Sequence, residues 1–75
     1  MIKVNWTYDN RDSVTVTGAE SASEAWDAAE YFLADVSEKD ETAEYSTGLS
    51  GPEGIEEYEG REYVFSVKCY EKSPQ

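Results

Sequence analysis

Carboxylates are the residues of this chain that could do chemistry: it has seventeen Asp and Glu, six Lys and Arg, and no His. Without histidine the commonest general base is missing. Cys69 alternates with Phe65 and Val67 in the direction of a core, a place for a small buried hydrophobe rather than a nucleophile. A carboxylate pair can split acid and base roles only inside a desolvated pocket. No glycine-framed or cleft motif surrounds any of these carboxylates, so an enzyme is not expected. Asp9-Asn10-Arg11-Asp12 carries oxygen ligands, but Arg11 sits among them and the mid-loop Gly and closing Glu of a calcium loop are missing. The run fits a hairpin turn better. The glutamates between Glu53 and Glu62 could gather a divalent ion only weakly. Neither metal nor cofactor is expected.

The carboxylates could act together instead, as an array. Four residues along a helix rise roughly 6 Å, and alternate strand residues stand roughly 6.6 Å apart. Such spacings are comparable with successive phosphates of a nucleic-acid strand. Glu20, Glu24, Asp27, Glu30, Asp35, Glu38, Asp40, Glu41 and Glu44 could therefore occupy a groove lined by Lys and Arg. Displaced counterions would supply much of the binding energy, which would weaken with salt. Glu24, Asp27, Glu30, Asp35, Glu38 and Glu44 are the expected phosphate mimics. Tyr31, Tyr45 and Tyr58 suit an interface, since tyrosine adds rigid contact area with a polar tip. Glu56 and Glu57 extend the acidic set beside Tyr58.

These residues need a helix and a sheet to hold them. Ala22, Ala25, Trp26, Ala29, Phe32, Leu33 and Val36 form one apolar stripe, predicting an amphipathic helix over Ser21–Glu38. Ser21 with Glu24 three residues later is a capping-box pattern. The outward side of this helix has no basic residue to pair with its acids. Glu38, Asp40 and Glu41 moreover crowd the negative end of its dipole, where cations are preferred. A local rule broken without visible compensation marks a place to look for function.

Residues 2–8 and 13–17 alternate apolar and polar around the Asp9–Asp12 turn, a β-hairpin. Gly18 breaks the second strand. Residues 41–47 predict a weaker strand, with Ala43 and Tyr45 on one side. The glycine-rich segment 48–60 reads as a long loop with a short turn or strand near Ile55–Tyr58, and such loops are often functional. Glu62–Tyr70 is the plainest strand. The order is ββαββ: an α+β domain in which one helix packs on a four-stranded sheet. Placing the apolar first and last strands in the middle gives a β-grasp-like order 2-1-4-3 with those two parallel. A fully antiparallel sheet is the alternative.

Seventy-five residues make a single domain with a small core, and one cysteine allows no internal disulfide. Stability must come from packing, helped by ten aromatic residues and, in a small homo-oligomer, by a partner copy. The charge is uneven. Glu20 to Glu62 contains fourteen acids against Lys39 and Arg61, whereas the two ends carry a small positive excess. This field repels nucleic acid and anionic membranes and speeds encounter with basic surfaces. No apolar h-region or membrane-length segment is present, so a cytoplasmic protein is expected.

Trp6-Thr7-Tyr8-Asp9-Asn10 with Ser13-Val14-Thr15-Val16-Thr17 resembles the C-terminal hairpin of the immunoglobulin-binding domains of streptococcal protein G. Gly18 to Ala29 resembles the start of their helix. The two pieces occur in the reverse order along the chain, so the similarity supports the elements and implies no antibody binding. In size, charge and compactness the whole chain resembles the small acidic inhibitors of phages and mobile elements, anti-CRISPR proteins and DNA mimics among them. That resemblance implies a non-enzymatic inhibitor of a nucleoprotein complex in a bacterial host, with a CRISPR–Cas effector as the foremost target. Two other readings stay open: a β-grasp-like interaction adaptor and an acidic structural domain of a halophile.

Overall fold

The computed structural model describes residues 1–48 and 62–72, together with the backbone of 57–58. Strands β1 (Lys3–Trp6) and β2 (Ser13–Thr17) precede helix α1 (Ala22–Lys39), and β3 (Ala43–Thr47), β4 (Glu57–Tyr58) and β5 (Glu62–Glu71) follow it. The class is α+β, with one helix on a curled sheet. Four strands run in the order β1-β2-β5-β3, with the two-residue β4 beside β5. Every pairing is antiparallel. The sheet is thus the fully antiparallel one, and the order 2-1-4-3 with parallel central strands does not occur.

The reason lies in side-chain size. Val14 and Val16 of β2 are fully buried and pair with Phe65 and Tyr63 of β5. Two small β-branched residues beneath the helix let it approach the sheet. Trp6, the largest residue of β1, stays only half-buried at the edge of the sheet. There its ring meets Phe32 and Tyr45 edge-on, each at a centroid distance of 5.6 Å. From the edge strand the indole fills the gap between α1 and β3, a place that a central β1 would deny it. Alternation therefore identifies which face is covered, not which strand is central.

The core is Val14, Val16, Ala25, Ala29, Leu33, Tyr63 and Phe65. Cys69 keeps the inward register, opposite Tyr45, yet it is exposed. The expectation of a buried thiol fails because β2 stops opposite Ser66 and leaves the far end of β5 with β3 alone.

The turns follow from the sequence. Arg11 adopts a left-handed conformation at φ 60°, donates its N–H to the Tyr8 carbonyl at 3.2 Å and lays its guanidinium 5.3 Å from the Trp6 ring centroid. Gly18 has φ 86°, and a Cβ there would lie 2.3 Å from the Met1 carbonyl oxygen. Only glycine fits this corner.

The two sheet edges are finished differently. Gly48 N–H donates to Ser66 at 2.9 Å and Lys72 N–H to Thr42 at 2.9 Å, so the even residues of β3 face β5. Ala43, Tyr45 and Thr47 face outward. Their N–H groups donate to the Asp40 carboxylate at 3.0 Å, the Ser37 hydroxyl at 2.8 Å and the Glu30 carboxylate at 3.2 Å. Residues of α1 and its C-cap thus close that edge. On β1, Thr7 N–H donates to Ser13 at 2.9 Å, so Val4 and Trp6 turn their backbone groups away from β2. Those groups have no partner among the described residues.

Candidate functional site

Helix α1 positions the acidic array, and its start is built as expected. Ser21 is the N-cap and its hydroxyl accepts from Glu24 N–H at 3.1 Å. The Glu24 carboxylate reaches back to Glu20 N–H at 3.1 Å, one residue before the usual partner of a capping box. Glu24 is therefore exposed but also serves as part of the cap.

At 100° per residue, Asp27, Tyr31, Asp35 and Glu38 follow one another along the outward side of α1. All four are exposed, and Tyr31 is 80 % accessible at the middle of the row. Asp35 pairs with Lys39 at 3.1 Å, both side chains largely in solvent. Such a surface pair contributes little and exchanges partners readily. Lys39 lies just beyond the predicted helix end, which is why the sequence stripe seemed unpaired.

Two members of the array are committed to the fold. Glu30 is half-buried and its Oε1 accepts from the Thr47 N–H and hydroxyl, the latter at 2.8 Å. Asp40 is the C-cap, and its Oδ1 accepts from Thr42 N–H at 2.8 Å, the Thr42 hydroxyl at 2.9 Å and Ala43 N–H at 3.0 Å. The Thr42 bonds, backbone first, hold the Asp40 carboxyl below its ordinary pKa, with smaller help from Ala43 and Lys72. Tyr45 is half-buried against Trp6, so only part of its ring is available to a partner.

Glu41 and Glu44 are exposed beyond the helix. Glu38 and Glu44 flank an open groove that Tyr45, Tyr70 and Lys72 also line. Glu57 and Tyr58 form β4, opposite Tyr63 and Glu62, and Glu56 lies outside the described residues. Most of the 48–60 segment lies outside them as well. The structure thus gathers Asp27, Tyr31, Asp35 and Glu38 on one face and sets Glu24, Glu41 and Glu44 around it. Glu30 and Asp40 are turned toward β3.

The crowding at the helix C-terminus is relieved from a distance. The Lys72 ammonium donates to the carbonyls of Ser37 and Asp40, a cation at the negative end of the dipole. Sequence reasoning missed this residue because thirty-two positions separate Lys72 from Asp40. It also missed Ser37, whose only local signal is a polar residue interrupting the apolar stripe near its end.

The segment Glu20–Glu44 carries nine carboxylates against Lys39. In β1, β2 and their turn, Lys3 and Arg11 balance Asp9 and Asp12, and in 62–72 Lys68 and Lys72 balance Glu62 and Glu71. The sheet face away from α1 presents Lys3, Asn5, Thr15, Ser66, Lys68 and Tyr70, with Glu44 in register with Tyr70 and Glu62 in register with Thr17. Anionic charge among the described residues is densest along α1 and its C-cap. This arrangement can attract and orient cationic groups of a partner. Among the described residues no three His, Cys, Asp or Glu side chains converge to hold a metal ion, and no helix is long and apolar enough to cross a membrane. Comparison of the chain with family models, curated proteins and solved structures gives no match.

Proposed function

We propose that the chain is a non-enzymatic inhibitor that docks its helical face on the basic nucleic-acid-binding surface of a nucleoprotein complex, a CRISPR–Cas effector of the bacterial host being the foremost target. The observation that supports this reading is the exposed row Asp27, Tyr31, Asp35 and Glu38 on one side of α1. Its carboxylates stand in for phosphates, and Tyr31 supplies rigid contact area between Asp27 and Asp35. Glu24, Glu41 and Glu44 widen the anionic field. Glu30 and Asp40 act indirectly, by locking α1 to β3 so that the row stays straight.

The row holds one sign of charge against mutual repulsion, and a basic groove would relieve that repulsion on docking. The test is affinity capture from a bacterial lysate by the immobilised chain at low and at high salt. A nucleoprotein complex retained at low salt and released at high salt is the expected result. Capture that ignores salt, or none at low salt, would overturn the reading.

A further inference from the structure

The outer edge of β1, unpaired among the described residues, lies beside an apolar groove lined by Ile2, Val4, Ala28, Phe32, Tyr31 and Asp35. Two facts make this edge different from the opposite one. Side chains of α1 and its C-cap bond the outward N–H groups of β3, whereas those of Val4 and Trp6 have no partner among the described residues. The groove next to β1 is apolar along its floor and carries the Asp35 carboxylate at its rim. A strand laid along β1 would meet backbone groups on one side and this floor on the other.

We propose that β1 is a strand-addition site for an extended segment of a partner protein, with apolar and basic side chains taking turns on the face toward the groove. An apolar side chain there covers Val4 and Phe32. A Lys or Arg lays its stem against Tyr31 and Phe32 and carries its charge to Asp35, displacing the solvent-exposed Lys39. Positions facing the other way stand beside Lys3 and Asn5, so they are neutral and polar. Charge complementarity selects this occupant over a second copy, which would bring another net −11 and a second Asp35 to the same groove. The groove shares Tyr31 and Asp35 with the helical row, but the inference does not rest on phosphate mimicry, because backbone bonds and apolar burial resist salt and the row's charge pairing does not.

The test uses the full chain and an eight-residue peptide with threonine at one set of alternate positions, and valine and arginine taking turns at the other. Titration followed by amide NMR and hydrogen exchange should slow exchange at Val4 and Trp6 and leave Ala43 and Tyr45 unchanged. A peptide of the same composition with the alternation broken should bind more weakly. N-methylation of a peptide amide facing β1 should weaken binding about tenfold, the worth of one lost backbone bond, while methylation facing away should not. Binding should survive salt high enough to abolish capture by the helical row. Equal binding of the disordered sequence, indifference to methylation, protection at another edge, or no binding would each overturn the proposal. So would a salt-stable dimer of the chain with Val4 and Trp6 protected.

Discussion

Two carboxylates that look alike in the sequence do different work. Glu30 bonds Thr47 twice, whereas Asp27, three residues earlier on the same helix, has no hydrogen-bond or ion-pair partner among the described residues. Replacing Glu30 with alanine should destabilise the fold by about 1 kcal/mol per hydrogen bond lost. Glu30→Gln keeps an acceptor and should cost less, and Asp27→Asn should leave thermal stability almost unchanged. Denaturant unfolding of the three variants checks this ranking. Asp40 gives a second prediction, in pH. Its folded pKa lies below the ordinary value, so its bonds stabilise fully above about pH 3.9 and that contribution is lost as pH falls through the lower folded value. Asp40→Asn should therefore lower the melting temperature near neutrality, and the gap from the parent protein should close in acid. A gap that widened in acid would contradict the assignment.

At the scale of elements, α1 depends on its two ends. Ser21→Ala removes the acceptor for Glu24 N–H and should cost about 1 kcal/mol. Lys72→Met withdraws a cation from the C-terminal carbonyls, and its effect should be of order 0.3–1 kcal/mol. Circular dichroism during thermal unfolding measures both. Much of this level was legible beforehand. The helix, its cap, the first hairpin and the last strand are announced by local periodicity and by Ser21, Asn10 and Gly18. Strand order was not, since it depends on where the bulk of Trp6 can lie once Val14 and Val16 occupy the centre. The closing of the β3 edge was hidden for another reason. Ser37, Glu30 and Asp40 have polar side chains that a periodicity argument assigns to solvent, and their partners are known only once β3 is in place.

For the whole molecule, the distribution of charge matters more than its total. A face with a large excess of anionic charge destabilises its own fold through self-repulsion, so the melting temperature should rise as ionic strength goes from about 0.01 to about 0.15 M and the Debye length shortens from about 30 to about 8 Å. Docking should respond in the opposite direction, weakening over the same range. Of the residues that the sequence nominated, Asp27, Tyr31, Asp35 and Glu38 remain the ones a partner could touch first. Glu24 is shared with the cap, and Glu30 and Asp40 with β3. A variant that neutralises the row should therefore alter Asp27, Asp35 and Glu38 only, leaving every structural carboxylate in place.

The most direct measurement sets this chain against a DNA target in competition for a guide-loaded CRISPR effector, comparing the parent with Asp27→Asn, Asp35→Asn and Glu38→Gln combined. Inhibition by the parent should fade with salt, and the variant should inhibit about a hundredfold less well, from three charge pairs near 1 kcal/mol each. Inhibition of equal strength in both proteins, at every salt concentration, would contradict this.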